Sequence, residues 1–117
     1  MTTHIRFIVD GQGINAVLDT EAGEDFAQLL PLALTLQDYH GIEKIADLPR
    51  ALNTQSAPSS YKPSAGDITV YAPWGNLALF YKPFPESRGL VRLGEFTGDY
   101  SALTRSREVE VQIELAE

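Results

Sequence analysis

The chain has 117 residues, no cysteine, and nine Lys or Arg against sixteen Asp or Glu, for a formal charge of −7. That length makes a single domain, 1–117, able to bury a core without disulfide or metal staples. The acidic balance argues against a nucleic-acid partner, because phosphate contacts need clustered Lys and Arg, and the missing cysteines exclude thiolate nucleophiles and thiolate metal sites.

Ile5, Phe7 and Val9 alternate with His4, Arg6 and Ile8, which reads as a strand with one apolar face. Asp10-Gly11-Gln12-Gly13 is a turn, and Ile14, Ala16 and Leu18 continue as an antiparallel partner. Thr20 can cap a helix starting at Glu21, whose early acidic residues suit its positive end. Ala22, Phe26, Leu29 and Leu30 give that helix one buried stripe, and Pro31 ends it. Leu32, Leu34 and Leu36 then alternate as a strand, whereas Tyr39 to Pro49 reads as irregular or short-helical.

Asn53 to Ala65 is rich in Ser, Thr and Pro with almost nothing to bury, and reads as a long surface loop. Gly66 to Tyr81 reads as two strands joined by a turn at Pro73 and Gly75 that displays the single tryptophan, Trp74. Leu90 to Phe96 is a further strand and Asp99 to Leu103 a helical turn. In Glu108 to Leu115 the alternation is complete, with Val109, Val111, Ile113 and Leu115 expected inward. Such a series of short strands with one helix is a mainly β pattern, an antiparallel barrel or sandwich.

The entry from Met1 directly into a strand pattern leads us to expect no signal peptide, and no apolar run approaches a membrane helix. A cytoplasmic location is the expectation. Only His4 and His40 could join carboxylates around a metal, on different elements, and Asp38-x-His40 is a weak ligand pair, so no metal and no cofactor are expected. Gly11-Gln12-Gly13 lacks the following helix that a phosphate cradle needs. Ser59 and Ser60 lack a nucleophile-elbow context.

Tyr39-His40-Gly41-Ile42-Glu43-Lys44 is the densest polar-aromatic cluster. Tyr39, Glu43 and Lys44 read either as groups in a cleft or as a lid residue beside an exposed ion pair. Arg50 is a surface charge, a carboxylate clamp or an amide-polarising donor. Trp74, Tyr71 and Tyr81 are the leading ligand-contact candidates, since aromatic rings offer apolar area with a polar tip; the alternative for them is plain core packing, and for Trp74 a plug in the mouth of the core.

Tyr39–Pro49, Gly66–Tyr81 and Gly89-Leu90-Val91-Arg92-Leu93-Gly94 together resemble the bacterial and archaeal cyclophilin-like proteins, small stand-alone domains that are sometimes joined to flavodoxin-type domains. The resemblance spans nearly the whole chain. It implies a closed, mostly antiparallel β-barrel of about eight strands with one or two capping helices. Prolyl isomerases of the cyclophilin type carry a Phe-His-Arg strand motif and a Gln-Gly-Gly-Asp-Phe segment. This chain has neither, and Phe80-Tyr81-Lys82 lacks the forked guanidinium, so the resemblance carries over no catalytic residue.

The leading expectation is therefore a non-enzymatic binding domain that takes a small molecule or an extended peptide beside Trp74 and the Asn53–Ala65 loop, with Tyr71, Tyr39 and Arg50 as further contacts. The alternative is a prolyl isomerase with a relocated arginine, Arg50. A third class is an interaction module that docks a protein partner or a second copy of itself.

Overall fold

Asp10 and Gly11 both take positive φ, 51° and 77°, and turn β1 (Thr3–Val9) into β2 (Gln12–Leu18). Two such residues in succession give a turn whose twist matches that of the strands it joins. The structure is a computed structural model and describes residues 2–116. Thr20 Oγ1 accepts the Gly23 amide at 3.0 Å and starts α1 (Glu21–Ala27), with Glu21 and Glu24 in its first turn.

There follow β3 (Leu32–Tyr39), β4 (Glu43–Asp47), β5 (Ser60–Tyr61), β6 (Asp67–Tyr71), β7 (Asn76–Phe80), β8 (Ser87–Arg88), β9 (Leu90–Phe96), a 3-10 turn (Ser101–Thr104) and β10 (Glu108–Leu115). The long strands close into an antiparallel barrel in the order β1-β10-β3-β4-β7-β6-β9-β2, and β5 and β8 pair as a separate ribbon. Closure removes the free edges that an open sheet would present. Among the described residues no helix is long and apolar enough to cross a membrane.

The alternation read from the sequence fills the barrel. Ile5, Phe7, Ile14, Leu18, Ile68, Val70, Leu77, Leu79, Leu93, Val111 and Ile113 are all buried in one cluster. Phe26 from α1 joins them at the end where β2 leaves the barrel. Leu103 from the 3-10 turn joins at the opposite end, where the antiparallel β9 leaves. Gly94 explains how β2 and β9 come so close: a Cβ on it would lie 1.8 Å from the Val17 carbonyl oxygen.

Three expectations need correction. Leu115 does not face the core; it is 52% exposed. β3 begins at Leu32, opposite Ile113, so Leu115 has β1 on one side and no strand on the other. The irregular reading of Tyr39–Pro49 also fails, because Glu43–Asp47 is β4 and pairs with both β3 and β7. Its cause is a tight turn at His40 and Gly41, with φ of 58° and 68°, closed by the Ile42 amide on the Tyr39 carbonyl. Histidine tolerates that left-handed conformation better than most side chains do.

The reading of Glu43 and Lys44 as an exposed pair fails as well. The two point to opposite faces of β4. Lys44 is 2% exposed, lies 3.6 Å from Asp38 Oδ1, and donates to the carbonyls of Ser106 and Arg107.

The Asn53–Ala65 segment is a surface loop containing β5, and side chains tie it down. The Asn53 amide donates to Asp25 Oδ2 at 2.8 Å, Ser56 donates to Glu21, and Leu52 and Ala57 pack partly on the core.

Candidate functional site

The barrel wall at β6 and β7 is buried on both of its faces. Ile68, Val70, Leu77 and Leu79 face in, while Ala78 and Phe80 face out into a second apolar cluster with Leu90. Ile45, Tyr71, Tyr61, Phe84 and Ile42 pack against that cluster from the outside. The strand pattern alone could not reveal this layer, because its covering residues come from remote turns.

The layer leaves a groove of about 520 Å³ on the outer wall, a size within the range of small-ligand sites. Its floor comes from Ile45 on β4, Asn76 and Phe80 on β7, Tyr71 on β6 and Leu90 on β9. Tyr39 at the end of β3 and Glu43 on β4 form one end. Trp74 rises at the other end, and Phe84, Ser87 and Arg88 close the flank.

Trp74 is held out by the β6–β7 turn. The Trp74 and Gly75 amides both donate to the Tyr71 carbonyl, at 3.2 and 2.9 Å, and Gly75 takes a φ of 66°. The indole is 65% exposed and meets the Tyr71 ring nearly at right angles, with centroids 5.4 Å apart. It therefore does not plug the barrel mouth. Edge-to-face packing of this kind orients an exposed ring without burying it.

Three aromatic or charged groups share one cross-strand row. Tyr39 on β3 is paired with Glu43 on β4, and Glu43 with Phe80 on β7. Directly paired residues in antiparallel strands project from the same face, so the Glu43 carboxylate is flanked by two rings. Phe84 lies over Phe80 at a centroid distance of 6.0 Å. Burial among these groups pushes the Glu43 carboxyl up to about 7. Glu43 has no hydrogen-bond or ion-pair partner among the described residues.

At the other end Asn76 is 5% exposed and its Oδ1 has no donor among the described residues. Such an orphaned buried acceptor is uncommon.

Of the residues expected at a site, Trp74, Tyr71 and Tyr39 line the one groove. Tyr81 does not join them; its hydroxyl donates to Asp38. Neither does Arg50. It is exposed and makes a two-pronged pair with Asp25, at 2.8 and 3.1 Å, which holds the Asp25 carboxyl below the usual range. The Asn53–Ala65 loop does not line the groove either: it borders a separate cavity of about 470 Å³ beside the start of α1, while its β5 pairs with β8 behind the groove's flank. Arg92 reaches that cavity but is engaged by Asp19 at 2.5 Å, Glu95 at 3.0 Å and Asp67 at 3.7 Å.

Asn76, Phe80, Phe84, Arg88 and Leu90 were not legible as site residues. The alternation of Asn76, Ala78 and Phe80 opposite the core-facing Leu77 and Leu79 was the available signal. No group of three His, Cys, Asp or Glu side chains among the described residues is placed to hold a metal ion.

Residues 7–114 match the family model described as the cyclophilin-like family. Among solved structures, a hypothetical protein from Archaeoglobus fulgidus, known from its solution structure, has a similar fold with a TM-score of 0.65 and 16% sequence identity, covering 97% of this chain and 95% of that one. At that identity the likeness shows the fold alone. No curated protein matches the chain.

Proposed function

This chain belongs to the cyclophilin-like family, and we propose that its barrel serves as a binding module, holding a small ligand or a short extended peptide non-covalently in the groove beneath Trp74. The observation that carries this reading is the exposed Trp74 ring standing at the mouth of an aromatic-floored groove of about 520 Å³. An exposed indole costs little to desolvate when a ligand covers it, and an apolar floor rewards that ligand with buried area. A cysteine-free chain suits a reducing compartment, and the cytoplasm is the proposed place of action.

A second reading, a peptidyl-prolyl isomerase, is favoured by one feature: Arg88 lines the groove, and no salt bridge engages it among the described residues. A guanidinium there could stabilise a twisted amide without covalent chemistry. Arg50, the arginine expected from the sequence, is committed to Asp25 and lines neither cavity.

The test is backbone-amide chemical-shift mapping with a panel of metabolites and proline peptides, run beside a proline-peptide isomerisation assay. Shifts confined to Tyr39, Glu43, Tyr71–Asn76 and Phe84–Leu90 without turnover are the expected result. Turnover that Arg88→Ala abolishes would transfer the site to the isomerase reading.

A further inference from the structure

We propose that the groove is selective for a small organic ammonium, a protonated primary or secondary amine on an apolar body, with its charge seated on Glu43 between Tyr39 and Phe80. This rests on the groove being the binding site. Tyr39, Glu43 and Phe80 are successive partners across β3, β4 and β7, so one carboxylate stands between two aromatic rings. Phe84 adds a third ring over Phe80.

A carboxylate in such surroundings ordinarily has an arginine, a lysine or backbone amides beside it. Glu43 has none among the described residues. The neighbouring lysine, Lys44, points the other way and is occupied by Asp38 and two carbonyls. Rings flanking a carboxylate favour an organic cation over a hydrated metal ion, because ring quadrupoles and an apolar floor reward a cation carrying carbon substituents. The raised carboxyl of Glu43 agrees with a charge that lacks its counter-ion.

The buried polar atom in the groove wall that lacks a partner among the described residues, Asn76 Oδ1, is also an acceptor. Asn76 lies four positions along β7 from Phe80, about 13 Å away. Arg88 belongs to that far end: the next residue, Gly89, accepts the Ala72 amide at 2.8 Å beside the Trp74 turn. The one arginine lining the groove thus has its backbone at the end away from Glu43, and it forms no salt bridge with Glu43. The remaining titratable groups lining it are Tyr39 from β3 and Tyr71 from β6.

Calorimetry with phenethylamine and with its neutral N-acetyl derivative tests the proposal, using the wild type and Glu43→Gln. The expected result is saturable binding of phenethylamine at pH 8, weakened roughly tenfold or more by Glu43→Gln. N-acetylphenethylamine should bind at least about tenfold more weakly than the amine in the wild type and equally in both proteins. Near pH 7, titrations in buffers of different ionisation enthalpy should show proton release on amine binding that the variant lacks. Equal binding of amine and amide, indifferent to Glu43→Gln, would overturn the ammonium assignment while leaving the groove in place. If neither probe binds the wild type at pH 8, the assignment fails; whether the groove itself fails is then read independently from the chemical-shift mapping. Glu43→Gln removes a poorly solvated charge and should fold, and Glu43→Asp, which keeps the charge but withdraws it, should bind the amine with intermediate strength.

Discussion

Lys44 reaches through the end of the barrel to lie 3.6 Å from Asp38 Oδ1, and Asp38 in turn accepts the Tyr81 hydroxyl and the Gly41 amide. The pair ties the turn after β3 to the segment entering β10, since Lys44 also donates to Ser106 and Arg107. Lys44→Met leaves the Ser106 carbonyl without its donor and Asp38 without its cation, while the Arg107 carbonyl keeps the Asp38 amide at 2.8 Å and Asp38 keeps the Tyr81 and Gly41 donors. The expected loss is about 2–3 kcal/mol in urea unfolding. A loss under about 0.5 kcal/mol would mean the ammonium is readily replaced by water.

The Tyr81 hydroxyl, foremost, holds the Asp38 carboxyl below its ordinary value. A carboxyl depressed in the folded state contributes stability that is present above the unfolded value and lost as pH falls through the folded one. Tyr81→Phe should therefore flatten the acid limb of a stability profile below about pH 4. An unchanged acid limb would contradict the role given to that hydroxyl.

Glu43 has the opposite sign. Its carboxyl is raised to about 7 by burial, so the folded protein holds that proton more tightly than the unfolded chain does. The corresponding stability is full below the unfolded value and is lost as pH rises through about 7. With solvent screening of a half-buried group, the loss is about 1–2 kcal/mol. Glu43→Gln should match the wild type at pH 4 and exceed it by that amount at pH 8. Equal stabilities at both pH values would show that Glu43 is well solvated.

The last strand offers a paired test of register. Val111 is 4% exposed and Leu115 is 52% exposed, although both sit on the same alternation. Val111→Asp places an unpaired carboxylate in the core and should unfold the domain. Leu115→Asp should change stability by less than about 0.5 kcal/mol. Comparable melting temperatures for the two variants would contradict the inward assignment of β10.

The contrast on β10 also shows what was legible. Alternation identifies which face a residue is on, and it did so for β1, β2, β3 and β10. It carries no information on where the neighbouring strand begins, and that is what exposes Leu115. β4 was hidden because Glu43-Lys44-Ile45-Ala46-Asp47 offers no clean alternation of polarity: a lysine occupies an inward position, held by partners from residues 38, 106 and 107. The hairpin residues of the site, Tyr71 and Trp74, were readable because an exposed aromatic turn is conspicuous. Phe84 comes from an irregular segment and Arg88 from the two-residue strand β8, and their return over the barrel wall depends on tertiary packing. The same dependence kept Arg50 from being placed: its position follows from Asp25, a residue on α1.

Trp74 is the chain's single tryptophan, so its emission reports on this groove alone. The direct measurement is a titration of that emission in the wild type with apolar amines and proline peptides, alongside urea unfolding of Trp74→Ala. The expected result is a saturable change in emission with at least one class of probe, with Trp74→Ala keeping stability within about 1 kcal/mol because the ring is largely exposed. No change in emission with any probe, together with a loss of about 3–5 kcal/mol in Trp74→Ala, would assign the ring to the core and contradict the binding site.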